Sequence, residues 1–373
     1  MRGICNPRQA LFDLSPYSGE MPEGKLLLAA NESPFNVPAK LQAEIQKSIS
    51  EFDFNRYPDP LSKKLRRQIA FRNGLEPECV LVGNGGDELL LDLLLAWGGN
   101  DSAQDGRKRS IMQFSPTFSM YKVYAELLET RILDLPRDPN DFSIDVDLAI
   151  SCLQNNQVDL CILDNPGNPT GSFMDEADIC RIVEASDSLI VVDEAYFEFS
   201  GQSMLPYLKN CPNLVILRTF SKAYSLAGLR LGYVLANPEV VDMLARVRMP
   251  YSVNAFTQGV GELVMDNVAK FDQSIAEITA QRTWLFEQLQ TFAGLKVWPS
   301  QANFLLFRVD NAELVWQKLR DDHDIYIRYF ANSPGLENCL RVTVGSRHDN
   351  IRFITALREV MARLSLPSDA LFA

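Results

Sequence analysis

Thr219-Phe220-Ser221-Lys222-Ala223-Tyr224-Ser225-Leu226-Ala227-Gly228-Leu229-Arg230-Leu231-Gly232-Tyr233 follows directly on the apolar run Leu214-Val215-Ile216-Leu217-Arg218. The run reads as a buried strand, which puts Lys222 on the loop leaving it, where functional groups concentrate. An amine held there can form an imine if burial or a neighbouring cation lets it shed its proton near neutral pH. Ser221, as a neutral donor, and Arg230, as a planar and permanently charged fork, suit a phosphate. A lysine on a solvated loop has the same local sequence, so the other loops must decide.

Four more strand-like runs each deliver such a loop. Cys79-Val80-Leu81-Val82 leads into Gly83-Asn84-Gly85-Gly86 and a helix opened by Asp87-Glu88. The first amides of a helix are unpaired and glycines let an anion reach them, so Gly85 and Gly86 mark an anion site, while Asp87 reads equally as a cap or a ligand. Ile111-Met112-Gln113-Phe114 leads to Ser115-Pro116-Thr117-Phe118, whose ring covers either a flat heterocycle or the core. Leu160-Cys161-Ile162-Leu163 reaches Asp164-Asn165-Pro166-Gly167-Asn168-Pro169-Thr170-Gly171, a turn in which Asn168 can donate to a ligand oxygen. Leu189-Ile190-Val191-Val192 ends in Asp193-Glu194-Ala195-Tyr196, at the strand end where open α/β sheets bind ligands. There a carboxylate suits a protonated ring nitrogen and a phenol suits a ring oxygen. Strand-like runs alternating with helical patterns predict an α/β fold with a mainly parallel sheet.

The 373 residues allow a large core and more than one domain. With 48 Asp plus Glu against 36 Lys plus Arg the net charge is −12, which disfavours nucleic acid and anionic membrane as partners; an anionic substrate needs a local basic pocket. Seven cysteines without a C-x-x-C pair, and only His323 and His348, predict neither a metal site nor a disulfide framework. No secretory signal or membrane span is evident, so a soluble cytoplasmic protein is expected.

Prolines keep an N-terminal arm extended through Leu14-Ser15-Pro16-Tyr17 and Ala30-Asn31-Glu32-Ser33-Pro34. Helices are predicted after Pro38 and after Pro60, the second with Leu61, Leu65 and Ile69 on one face, and Arg56-Tyr57-Pro58-Asp59-Pro60 is the turn between them. One long helical region over 254–292 joins this larger unit to a smaller α/β unit with strands near 304–309, 325–328 and 340–344. The predicted division is 1–50 for the arm and part of the small domain, 51–285 for the large domain and 286–373 for the small C-terminal domain. Arg328 and Arg341 lie in the late strands, where a buried arginine requires an acidic partner or an anionic ligand.

An imine-forming lysine beside a phosphate site points to pyridoxal phosphate. Taken in order, the glycine loop, the aromatic, the asparagine, the aspartate, the tyrosine, the lysine and the arginine resemble the fold-type I pyridoxal-phosphate aminotransferases over nearly the whole chain. The resemblance implies a large domain with a mainly parallel central sheet plus a smaller α/β domain. It implies that Lys222 is the Schiff-base lysine for pyridoxal 5'-phosphate, that Asp193 partners the pyridine nitrogen, and that Asn168 and Tyr196 meet the ring oxygen. Phe118 would stack on the ring. Gly85, Gly86, Ser221 and Arg230, with Asp87 beside them, would surround the phosphate. Tyr57 would reach the cofactor of the neighbouring subunit in a homodimer, and Tyr17, Arg328 and Arg341 would face the substrate, Arg341 on its carboxylate.

Within the family, three features resemble the histidinol-phosphate branch, whose substrates are that amino donor and, on the return, a 2-oxo acid, 2-oxoglutarate. They are Leu14-Ser15-Pro16-Tyr17, Tyr57-Pro58-Asp59-Pro60, and the pattern from Ile325-Tyr326-Ile327-Arg328 through Pro334-Gly335-Leu336 to Leu340-Arg341-Val342-Thr343-Val344-Gly345. Relatives often carry tyrosine at the place of Phe118 and serine or alanine at the place of Gly86, yet stacking needs only a ring and phosphate capture can use a backbone amide. An aromatic aminotransferase, a threonine-phosphate decarboxylase and a non-catalytic binding module of the same fold are the alternatives.

Overall fold

The computed structural model describes residue 8 and residues 11–12, 22–50, 52–99 and 106–364. Among these, twelve strands build two sheets: β1 (Leu26–Leu28), β2 (Val80–Gly83), β3 (Ser110–Ser115), β4 (Arg131–Pro136), β5 (Leu160–Asp164), β6 (Leu189–Asp193), β7 (Leu214–Thr219), β8 (Gly232–Ala236), β9 (Leu295–Val297), β10 (Phe304–Val309), β11 (Ile325–Tyr329) and β12 (Cys339–Thr343). The larger sheet has the order β2-β8-β7-β6-β5-β3-β4. Only β8 runs against the rest, antiparallel to both β2 and β7. Its close approach to the glycine loop depends on Gly232, where a Cβ would lie 2.8 Å from the Gly85 carbonyl carbon and 2.9 Å from the Gly86 nitrogen.

The apolar runs are unbroken because this sheet is covered on both faces. Along β6, Ile190 and Val192 enter one core, with Val82, Phe114, Cys161, Leu163 and Ile216. Leu189 and Val191 enter the other, with Leu81, Ile111, Ile162, Val215 and the leucines of the helix after the glycine loop. The smaller sheet has the order β1-β11-β12-β10-β9, antiparallel except for β1 beside β11. Its core takes in Tyr196, Phe199 and Ala223 from the larger body, so the two sheets are joined through the loops that carry Asp193 and Lys222.

Helices α1 (Ala39–Ile49), α2 (Lys63–Asn73) and α3 (Gly86–Trp97) follow the expected starts, with differences in detail, and α4 (Ser119–Leu127) follows β3. Leu65 and Ile69 are buried, but Leu61 precedes α2 and is exposed. Ser62, at the N-cap, has a left-handed backbone, so the first turn begins only at Lys63. The long helical region of 254–292 is two helices, Ala255–Asp266 and Asp272–Gln290, separated by a 3-10 turn at Val268–Phe271. Asn267 ends the first at φ −127°, and its Nδ2 donates to the Leu263 carbonyl at 2.8 Å, a local bond that competes with helix continuation.

Candidate active site

The loops leaving β2, β3, β5, β6 and β7 converge at the carboxyl edge of the large sheet, and the side chains they present make one site. Lys222, three residues beyond β7, is partly buried and donates from Nζ to the Ala30 carbonyl at 2.9 Å. Burial, helped by the nearby Arg341 guanidinium, pulls its amine down to about 8, against the opposing pull of Glu32. Its Nζ lies 6.0 Å from the centroid of the Tyr196 ring.

Asp193 ends β6 with both oxygens engaged: Oδ1 accepts from the Ala195 amide at 3.0 Å and Oδ2 from the Tyr121 hydroxyl at 2.7 Å. Burial pushes this carboxyl up to about 7, and the Tyr121 bond acts in the opposite direction. Phe118 precedes α4 and meets Tyr121 edge-on, ring centroids 5.6 Å apart, which sets it one ring away from Asp193. Tyr196 is buried against Phe304, and its hydroxyl accepts from Asn31 Nδ2 at 2.9 Å. Burial, above all, lifts this phenol to about 12.

Asn168 is held by its own turn, its amide donating to Asp164 Oδ2 at 2.7 Å. Asp164 in turn forms a buried ion pair with Arg137 at 2.5 Å. The Asn168 side-chain oxygen accepts from Arg341, whose other guanidinium nitrogen donates to the Ala29 carbonyl at 2.6 Å. Arg341 thereby bridges β12, the N-terminal segment and the β5 loop.

Around the start of α3 the residues expected to make an anion site lie together. Gly85 occupies the N-cap at φ +87°, a left-handed conformation suited to glycine, and a Cβ there would lie 2.7 Å from Arg230 Nη2. Arg230 also reaches Ser221 Oγ at 3.5 Å and pairs with Asp87 at 2.8 Å. The cap reading of Asp87 is therefore corrected. Gly85 holds the cap position, Gly86 opens the helix, and the Asp87 carboxylate, one residue on, is turned to Arg230 instead of the helix amides.

Arg328 faces Arg341 across the β11–β12 pair and is exposed, with no ion pair among the described residues. Tyr57 is 82% exposed and stacks on Tyr251 at 4.6 Å between centroids. Tyr17, expected near the substrate, lies outside the described residues.

Residues 23–357 match the family of class I and II aminotransferases. The chain belongs to this family. It is 42% identical over 356 residues to histidinol-phosphate aminotransferase 1 of Carboxydothermus hydrogenoformans, covering 95% of this chain and 98% of that one. It is 35% identical over 356 residues to the histidinol-phosphate aminotransferase of Caldanaerobacter subterraneus, with the same two coverages, 95% and 98%. Its fold is that of the histidinol-phosphate aminotransferase of Sinorhizobium meliloti, solved in complex with pyridoxal-5'-phosphate, with a TM-score of 0.86 over 98% of this chain and 100% of that one at 23% identity. Among the described residues of this aminotransferase no helix is long and apolar enough to cross a membrane, and no cluster of His, Cys, Asp and Glu is arranged to hold a metal.

Four residues that hold the site together escaped sequence reasoning: Tyr121, Asn31, Arg137 and Thr343. Tyr121 looks like an ordinary core position of an amphipathic helix, and only its hydroxyl, which needs a partner when buried, hints at more. Asn31 sits in a segment with no periodicity, and its partners are more than 160 residues away.

Proposed function

We propose that this aminotransferase moves the amino group of L-histidinol phosphate to 2-oxoglutarate, giving imidazole acetol phosphate and glutamate in histidine biosynthesis, with pyridoxal 5'-phosphate as cofactor. The observation that carries the substrate assignment is the cross-strand pair of Arg328 with Arg341, the guanidinium that acts on Lys222. Two guanidiniums on one sheet face suit a phosphate ester on one substrate and a carboxylate on the other. The relatives at 42% and 35% identity bear the corresponding name, which supports the same reading.

The residues present fit the cofactor. Gly85, Gly86, the first amides of α3, Ser221 and Arg230 form a cradle of donors for its phosphate, with Asp87 holding Arg230 in place. Asp193, fixed by Tyr121 and the Ala195 amide, would face the ring nitrogen, since a cation beside it favours the ionised carboxylate. Asn168 and Tyr196 would meet the ring oxygen and Phe118 the ring face. When bound, the cofactor supplies a carbonyl for amines and an electron sink for the substrate carbanion. Lys222, with its amine at about 8, has a neutral fraction near neutral pH; its Nζ would hold the cofactor through its carbonyl carbon and, when free, would take and return the proton at the substrate carbon. Arg341 holds the carboxylate of 2-oxoglutarate or glutamate, and Arg328 holds the phosphate ester of histidinol phosphate.

The active unit in this reading is a homodimer in which Tyr57 serves the partner's site, supported by the exposed stack of Tyr57 on Tyr251. The division read here is an arm with part of the small domain (1–50), a large domain (51–285) and a small C-terminal domain (286–373); the two sheets support a larger and a smaller unit, while Val37 and Leu41 pack into the larger core and Ile278 and Leu285 of the helix Asp272–Gln290 into the smaller one. Free thiols at Cys79, Cys152, Cys161, Cys180, Cys211 and Cys339 suit a cytoplasmic enzyme.

Single half-reactions test the assignment. The cofactor-loaded protein is mixed with histidinol phosphate, phenylalanine or threonine phosphate, and both cofactor absorbance and product are followed. Fastest conversion with histidinol phosphate is the expected result. A preference for phenylalanine makes the chain an aromatic aminotransferase, carbon dioxide release from threonine phosphate makes it a decarboxylase, and no conversion makes it a binding module.

A further inference from the structure

Asn31 joins the cofactor side of the site to the strand that carries Arg341. It is 2% exposed and holds a left-handed backbone at φ 56°. Its amide donates to Thr343 Oγ1 at 2.9 Å, and its carbonyl accepts from Asn303 Nδ2 at 3.0 Å. Because Thr343 Oγ1 accepts from the Asn31 amide, its own proton leaves in another direction, toward Asn31 Oδ1 at 3.3 Å. That bond fixes which way the Asn31 amide points: Oδ1 to Thr343, and Nδ2 to the Tyr196 hydroxyl at 2.9 Å. Tyr196 Oη is thus an acceptor on the Asn31 side, and Asn31 is its sole hydrogen-bond partner among the described residues. The phenol proton must point elsewhere.

We propose that Asn31 and Thr343 are positioning residues that set the direction of the Tyr196 hydroxyl proton, so that it is donated to the ring oxygen of the cofactor and not to the protein. The inference rests on the role given to Tyr196 above. It explains why an amide stands at position 31, since a carboxylate would draw the phenol proton to itself. It also ties the two halves of the site together: Thr343 lies two residues beyond Arg341 on β12 and so shares its face. Burial keeps the phenol protonated through the neutral range, which leaves it a donor.

The test uses the cofactor-loaded protein and its Asn31→Asp, Asn31→Gly, Thr343→Val, Thr343→Ser and Tyr196→Phe variants. The readout is the pH midpoint of the visible absorption change of the bound cofactor, with kcat and KM measured beside it and apoprotein thermal unfolding as a check on folding. A donor to the ring oxygen favours the deprotonated chromophore, so losing it raises the midpoint. Asn31→Asp and Thr343→Val are expected to raise it by about one unit, as Tyr196→Phe does, and to lower kcat roughly tenfold with little change in KM. Thr343→Ser keeps the hydroxyl and the wild-type midpoint. Asn31→Gly retains the left-handed backbone without the side chain and falls between Asn31→Asp and wild type. If Tyr196→Phe shifts the midpoint while Asn31→Asp and Thr343→Val do not, the inference is overturned and the role of Tyr196 stands. If Tyr196→Phe leaves the midpoint where it was, both fall. Should Asn31→Asp not fold, the Thr343→Val and Thr343→Ser pair decides alone.

Discussion

Arg328 and Arg341 stand directly opposite one another on β11 and β12, and each guanidinium lies 5.9 Å from the centroid of the Phe330 ring. Like charges at opposed positions destabilise an antiparallel pair. The ring near both, and the Asn168 and Ala29 oxygens on Arg341, offset part of that repulsion. An anion lying against both would remove the remainder, which is the arrangement expected of a site kept for binding at some expense to stability.

Arg328→Gln therefore separates binding from support. The variant should unfold at the same temperature as the wild-type apoprotein or slightly above it, a gain of about 0.2–1 kcal/mol from relieved repulsion. The half-reaction with histidinol phosphate should slow roughly tenfold to a hundredfold, the loss of one charge-assisted contact. The reaction of the amine form with 2-oxoglutarate, whose carboxylate still meets Arg341, should slow much less. Equal slowing of both half-reactions together with a lower unfolding temperature would show Arg328 to be a structural residue and favour an aromatic substrate.

Lys222→Ala should abolish multiple turnover and leave the fold intact. Among the described residues the side chain makes one hydrogen bond, to the Ala30 carbonyl, so its removal costs about 1–3 kcal/mol, and the loss of a partly desolvated cation near Arg341 returns some of that. Circular dichroism and unfolding temperature close to wild type, with no turnover above background, are the expected pair of results. Turnover near the wild-type rate would remove Lys222 from the chemistry.

Much of this site was legible because its residues stand just past apolar runs that can only be strands. Gly85, Phe118, Asn168, Asp193 and Lys222 each follow such a run, and the sheet brings the carboxyl ends of β2, β3, β5, β6 and β7 to one edge. β8 was harder to read, since it begins only two residues after Arg230 and reads as a continuation of the lysine loop. The three-residue strands β1 and β9 are too short for any periodicity to register. Asn31 and Thr343 are 312 residues apart, and no local pattern announces a bond between them. Tyr121 was hidden for the opposite reason, because its pattern is a good one for a core helix and its hydroxyl contact with Asp193 is a tertiary accident of that packing.

Tyr57 should act across a dimer interface. Within one chain its ring is exposed and stacks on Tyr251, itself partly exposed, so the pair presents aromatic surface outward among the described residues. Co-expression of a Tyr57→Phe chain with a Lys222→Ala chain gives mixed dimers. If Tyr57 serves the partner, one site in each mixed dimer carries both lesions and the other carries neither, so about half of the wild-type activity per dimer returns. If Tyr57 works within its own chain, every site carries one lesion and activity stays near that of the weaker parents.

The last prediction concerns pH and stability, and it turns on Glu198. Its carboxyl oxygens are shut away from solvent on the short helix Phe197–Ser200, and burial pushes the group up from 4.5 to about 8, against the pull of Arg218. Arg218 is already bonded to Glu194, at 2.9 Å, so two acids share one guanidinium in this part of the core. Above a pH of about 4.5 the unfolded chain releases the Glu198 proton while the folded chain keeps it until about 8. The folded state binds more protons across that window, so the stability contributed by this group is complete below it and is lost as the pH rises through it. Denaturant titrations of the apoprotein at about pH 6 and about pH 8 should show stability falling, with Glu198 contributing up to about 1.4 kcal/mol per pH unit. Asp92 and Asp193, both raised to about 7 mainly by burial, act in the same direction. Glu198→Gln keeps the shape and removes the ionisation, so the variant should lose part of this slope, not all of it, and should gain on the wild type as the pH rises. Identical slopes in the two proteins would mean that Glu198 is ionised in the folded state at neutral pH, with Arg218 holding both carboxylates.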